Sequence, residues 1–245
     1  MSVAYTVRDR IAYVSFERRE KHNALRDEDL EALTAAIRRL DGDDTADVAI
    51  LFGQGRSFSS GGDVDARLQR SMDEGSTAGR TTEREAFLEC EHWKPVIAAV
   101  HGYCLGHALA TALLCDQGVA SRDARFPVTE TRIGLAMPGL IPQLGTPAFA
   151  YDVAMTGRMF TAEEAMAGGM LSRLVEDGGH LDGAEELARQ ILENPQTPVR
   201  SLVQVRRALL VDATARHQAV APAFDWATSA EARAAVAALA QGGKG

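Results

Sequence analysis

The sequence predicts an α/β fold, a largely parallel sheet followed by a helical C-terminal extension. Two runs that are apolar throughout, Val48-Ala49-Ile50-Leu51-Phe52 and Val96-Ile97-Ala98-Ala99-Val100, suit parallel strands covered on both faces. Strand patterns concentrate in the first half of the chain and helical patterns in the second, with no internal repeat and no obvious linker. This gives one core over residues 1–190 and a helical extension over 191–245.

Residues 4–8 and 11–16 alternate apolar and polar side chains around Asp9-Arg10, the pattern of a tight hairpin. Over residues 27–40, Leu30, Leu33, Ala36, Ile37 and Leu40 recur at helical spacing. Acids stand early and Arg38-Arg39 late, matching the helix dipole, and Gly42 is expected to stop the helix. Residues 46–52 form the next strand. The loop through Gly53, Gly55 and Gly61-Gly62 leads into a polar stretch, 65–84, expected to be mobile. A helix through Glu83, Phe87, Leu88 and His92 ends before Pro95; residues 96–100 are a strand, 108–114 a short buried helix and 118–120 another strand. Thr161-Ala162-Glu163-Glu164 is a capping box opening a helix that stops at Gly168-Gly169. Helix formers over 187–192, 199–210 and 230–240, broken at Pro195 and Pro198, complete the chain.

The 245 residues, 46% hydrophobic, can fill one sizeable core, and a net charge of -8 argues against a nucleic-acid partner or an anionic membrane surface. The N-terminus lacks a basic n-region and an apolar h-region, and no run reaches bilayer length, so a cytoplasmic location is expected. Cys90, Cys104 and Cys115 form no Cys-x-x-Cys pair and are expected to be buried free thiols. His92, His101 and His107 match no common zinc spacing, so no metal site is expected. Gly53-Gln54-Gly55-Arg56-Ser57-Phe58 fails as a dinucleotide fingerprint because Phe58 stands where a small residue is required. The same region fails as a hydrolase nucleophile elbow because Ser59 replaces the closing glycine.

Two glycine-bearing turns follow the apolar strands: Phe58-Ser59-Ser60-Gly61-Gly62-Asp63-Val64, and Gly102-Tyr103-Cys104-Leu105-Gly106-His107-Ala108. Parallel strands deliver such turns to one end of a sheet, where two backbone N–H groups can converge on a single oxygen and stabilise a developing oxyanion. Small residues let a ligand carbonyl approach the main chain.

Five segments in order resemble the crotonase superfamily, the enoyl-CoA hydratase and isomerase family: Arg18-Arg19-Glu20-Lys21-His22-Asn23-Ala24-Leu25, residues 58–64, residues 102–116, residues 126–139, and Met155-Thr156-Gly157 with residues 165–171. The resemblance implies a spiral of ββα turns, assembly as a homotrimer or dimer of trimers through the C-terminal extension, and an acyl-CoA thioester substrate. Coenzyme A would enter as part of the substrate, with no other cofactor. It further implies that the N–H groups of Gly62 and His107 take the thioester oxygen. Lys21, His22, Ala24, Ser60, Gly61, Asp63, Val64, Gly106 and Pro138 would line the substrate and its CoA moiety.

Hydratases of this family carry two glutamates. Ala110 occupies the position of the first and Glu130 that of the second. Hydration needs a base for water and a proton source for the α-carbon, whereas shifting a double bond needs one base that returns the proton it took. A lone Glu130 therefore favours isomerase-type chemistry. His107 replaces the family's usual glycine, and its imidazole either packs locally or serves as an acid or base. The alternatives are an acyl-CoA-binding protein impaired in catalysis and a CoA-independent, carbonyl-processing homologue.

Overall fold

The computed structural model describes residues 2–63, 92–128, 130–133, 144–220 and 234. The strands are β1 (Val3–Arg8), β2 (Ile11–Phe16), β3 (Val48–Gly53), β4 (Val96–Val100), β5 (Gln117–Ser121), β6 (Arg125–Pro127), β7 (Met159–Thr161) and β8 (Arg173–Val175). The helices are α1 (Asp27–Gly42), α2 (His107–Leu114), α3 (Pro147–Thr156), α4 (Ala162–Ala167), α5 (His180–Leu192) and α6 (Gln196–Val220).

β1 and β2 form the expected hairpin, with Arg8 opposite Ile11 and a two-residue turn whose Asp9 and Arg10 both have positive φ, 51° and 64°. That geometry matches the natural twist of paired strands. From β2 onward every neighbour is parallel, giving one sheet in the order β1-β2-β3-β4-β5-β8, while β6 and β7 pair separately and antiparallel.

The apolar runs are buried on both faces, as their composition requires. In β4, Val96, Ala98 and Val100 join the larger core with α1 and α2, while Ile97 and Ala99 face the other way. On that second face α5 lays Ala184, Leu187 and Ala188 over Ile50, Ile97 and Val119. Each fully buried Leu or Ile stabilises the fold by roughly 2 kcal/mol. α2 buries every residue from Ala108 to Leu114.

Several boundaries differ from the sequence-based expectation. Gly42 lies inside the last turn of α1, and Asp43 follows as the cap, its N–H donating to the Leu40 carbonyl at 3.3 Å. α6 runs through Pro198, the third helical residue, because a first-turn N–H has no intrahelical acceptor to lose. α5 begins at His180, well before residue 187. β6, β7 and β8 have three residues each, too few to show a period, and α3 was likewise not anticipated. Residues 64–91, with the predicted mobile stretch, most of the following helix and Cys90, lie outside the described residues, as does the 230–240 run apart from Ala234, which is helical. Cys104 and Cys115 are buried and unbridged, as expected.

α6 is fastened to the C-terminal end of α2 by charge. Arg206 donates to the carbonyls of Leu113 and Leu114 at 2.8 and 3.0 Å, and Arg207 donates to Leu114 at 2.6 Å and to Asp116 at 2.9 Å. Cations suit a helix C-terminus. Burial alone would raise the Asp116 carboxyl, but its hydrogen bond with His92 and the nearby Arg207 guanidinium outweigh that and lower it.

Candidate active site

The segment after β2 makes a 3-10 turn, Arg19–Lys21, and then two left-handed residues, His22 and Asn23, with φ of 48° and 55°. Asn tolerates that conformation. The turn presents Lys21 and His22 to solvent, with Ala24 half-buried, while the Asn23 carboxamide points inward and is 1% exposed. Ser60 N–H donates to the His22 carbonyl at 2.8 Å, which ties this segment to the first glycine-bearing turn. The Ser60 hydroxyl lies 3.5 Å from the Lys21 carbonyl. His22 Nδ1 is 3.2 Å from the Ser57 hydroxyl.

Gly61 takes a positive φ of 82°, and a Cβ there would fall 2.6 Å from the Leu105 carbonyl oxygen and 3.7 Å from the Gly106 Cα. The two glycine-bearing turns therefore touch, and only glycine permits the contact. Leu25 N–H donates to the Gly61 carbonyl at 2.7 Å and Asp63 N–H to the Leu25 carbonyl at 2.8 Å. In a trans peptide the N–H points opposite to the preceding carbonyl. The Gly62 N–H is consequently turned away from Leu25.

The second turn is built on the same geometry. Gly106, with φ of 52°, caps α2, and its carbonyl accepts the Ala110 N–H at 3.0 Å. The trans relation aims the His107 N–H out of the N-terminal end of α2. His107 is half-buried, and Ala110, 6% exposed, shares its helix face at i, i+3. His101 braces the approach to both turns. Its carbonyl accepts the Phe58 N–H at 2.8 Å, and its Nε2 lies 3.1 Å from the Gly55 carbonyl.

Of the remaining predicted residues, Asp63 has its carboxylate 3.0 Å from the Arg18 guanidinium, which also donates to the Ala24 carbonyl at 2.6 Å and lies 3.3 Å from Asp29. Its acid is thus a brace between the two segments. Glu130 opens the 3-10 turn Glu130–Ile133, fastened to α3 by the Thr131 hydroxyl donating to the Ala154 carbonyl at 2.6 Å. Val64 and Pro138 lie outside the described residues. The structure thus joins Lys21, His22, Ala24, Ser60, Gly61, Gly62, Asp63, Gly106 and His107 in one neighbourhood.

Sequence reasoning passed over Arg18, Asn23 and Ser59, which hold that neighbourhood together from behind. All three stand inside the quoted motifs. No local pattern marks them, since Arg18 lies between Glu17 and Arg19, Asn23 between His22 and Ala24, and Ser59 between Phe58 and Ser60.

A cavity of about 340 Å³ lies at the far end of α2, lined by Val100, Cys115, Asp116, Met170 and Arg206 among others, and none of the predicted site residues borders it. Among the described residues no cluster of His, Cys, Asp and Glu could hold a metal ion, and no helix is long and apolar enough to cross a membrane.

The profile of the family described as Enoyl-CoA hydratase/isomerase matches residues 6–231. Among curated relatives, an (E)-benzylidenesuccinyl-CoA hydratase of Thauera aromatica is 34% identical over 216 residues, 83% of this chain and 81% of the relative. A carnitinyl-CoA dehydratase of Salmonella arizonae is 34% identical over 199 residues, 77% of this chain and 74% of the relative. The crystal structure of an enoyl-CoA hydratase/isomerase from Pseudoalteromonas atlantica superposes with a TM-score of 0.83 at 26% identity, covering 98% of this chain and 97% of the other.

Proposed function

Because the chain belongs to the enoyl-CoA hydratase/isomerase family and has its crotonase fold, we propose that it is an enzyme that stabilises the enolate of an acyl-CoA thioester with the Gly62 and His107 N–H groups and moves the proton with Glu130. One observation carries the reading. The Leu25 to Gly61 and Ala110 to Gly106 hydrogen bonds orient two peptide planes where the glycine-bearing turns touch. Fixed dipoles of this kind act on charge that develops in the transition state, and loss of one donor typically costs about 3 kcal/mol.

In the favoured reaction Glu130 takes the α-proton of a 3-enoyl thioester, the electrons move onto the thioester oxygen, and the same proton returns at the γ-carbon to leave the 2,3-conjugated product. Ala110 supplies no second carboxylate, which favours this one-base route. Lys21, His22, Ala24, Ser60, Gly61, Asp63, Val64, Gly106 and Pro138 flank the substrate and its CoA, Asp63 through its backbone, with no further cofactor. Residues 191–245 serve as a helical extension for trimer contacts, a role supported by the exposed Leu202, Val205 and Leu209 on α6. The reading places the enzyme in the cytoplasm.

Hydration is the second reading, favoured by the hydratase and dehydratase names of the relatives. Separate incubations with 2-enoyl-CoA and 3-enoyl-CoA, followed by the conjugated absorbance, distinguish the two. The one-base reading expects the 3-enoyl substrate to gain absorbance, and Glu130→Gln to lose about 100- to 10,000-fold in turnover while keeping its ligand. Rapid water addition to the 2-enoyl substrate with the 3-enoyl one inert establishes hydration instead. Tight binding of both without turnover makes the protein an acyl-CoA binder.

A further inference from the structure

The contacts that hold Gly61, the residue before the Gly62 amide, begin in two buried side chains, Asn23 and Ser59. Asn23 Nδ2 donates to the carbonyls of Gln54, Ser57 and Phe58 at 2.9, 2.9 and 3.2 Å, so the loop between β3 and the glycine-bearing turn wraps around one carboxamide. Gly53 makes room for it, since a Cβ there would lie 2.8 Å from that nitrogen. Three surrounding carbonyls also fix which way the amide faces. The Asn23 backbone carbonyl accepts the Ser59 hydroxyl at 2.7 Å, and the Ser59 oxygen in turn accepts the Gly61 N–H at 3.1 Å.

The relay has a single direction. A serine hydroxyl has one proton to give, and here it goes to Asn23, leaving the lone pairs for Gly61. Gly61 is then held at both ends, its N–H by Ser59 and its carbonyl by Leu25. Glycine has the widest backbone freedom of any residue, so without both anchors the Gly61–Gly62 peptide plane can rotate.

We propose that Asn23 and Ser59 are positioning residues that fix the direction of the Gly62 N–H without touching substrate. This rests on the reading of Gly62 as an oxyanion donor. A purely structural pair would affect stability alone. A positioning pair affects the transition state more than the bound ground state, because the oxyanion is the group whose charge grows.

Ser59→Ala and Ser59→Cys, compared with the unaltered protein, test this by kcat, acyl-CoA Kd, thermal midpoint and deuterium exchange of the peptide spanning residues 59–63. The expected result for a folded Ser59→Ala is a kcat lower by about 10- to 100-fold with Kd held within about threefold, and faster exchange at Gly61. Ser59→Cys, whose thiol is a weaker donor and acceptor, falls between. Unchanged kcat, a Kd that weakens in step with kcat, or unchanged exchange overturns the proposal. Should Ser59→Ala not fold, Ser59→Cys carries the same comparison. If the unaltered protein turns over no enoyl-CoA, the oxyanion reading fails by itself, and exchange in the ligand-free variants still decides whether the relay fixes Gly61.

Discussion

The Leu25 N–H and the Gly61 carbonyl, 2.7 Å apart, join the segment after β2 to the first glycine-bearing turn and set the tilt of the Gly61–Gly62 peptide. This contact is made at a positive φ, with the Leu105 carbonyl filling the space that a Cβ on Gly61 would need. A backbone conformation that glycine adopts freely is thereby coupled to the direction of a proposed catalytic donor.

Gly61→Ala tests that coupling. The new Cβ would lie 2.6 Å from a backbone oxygen that cannot swing aside as a flexible side chain would. A left-handed alanine alone costs about 1–2 kcal/mol, and the forced shift adds to it. The thermal midpoint should fall and turnover should fall further than acyl-CoA affinity. An alanine variant with normal midpoint and turnover would mean that the turn relaxes freely and does not set the donor.

Arg207→Met addresses the other end of α2. The Arg207 and Asp116 side chains are 4% and 7% exposed and 2.9 Å apart, and His92 Nε2 lies 3.6 Å from the same carboxylate. Removing one partner of a buried pair leaves an uncompensated charge and costs about 3–5 kcal/mol. Denaturant unfolding should show a loss of that size, and adding Asp116→Asn should recover part of it. A loss below about 1 kcal/mol would mean that Arg206, also on α6, compensates fully.

The fold was legible in the sequence where one side-chain pattern dominated. β3 and β4 announce themselves because a strand buried on both faces must be apolar at every position, and the 27–40 helix because one stripe faces the sheet. The two glycine-bearing turns were legible as turns that follow apolar strands, whereas Gly62 and His107 were singled out within them only through the family resemblance. β6, β7 and β8 were not, since three residues carry no period. Asn23, Ser59 and Arg18 were not, because their roles depend on groups brought near from distant parts of the chain. No local spacing encodes the bond from Ser59 to Asn23, 36 residues away.

Acid should weaken the fold through His180, whose ring stacks on that of His101. The rings of His101 and His180 stack with centroids 4.0 Å apart and planes 13° from parallel. Burial first, and then the neighbouring His101, push His180 down to about 4, against the opposing pull of Asp123 and Asp182. An unfolded histidine titrates near 6.5, so between about pH 6.5 and 4 the unfolded chain holds a proton here that the folded chain refuses. Stability therefore falls as pH falls through that window, and this contribution levels off once the folded site also protonates. His92, lowered chiefly by burial, adds in the same sense. His180→Gln keeps a planar polar side chain but removes the titration, so its thermal midpoint should decline less steeply than that of the unaltered protein between about pH 6.5 and 4. Parallel declines in the two proteins would assign the acid sensitivity elsewhere, with His92 beside Asp116 and Arg207 the next group to replace.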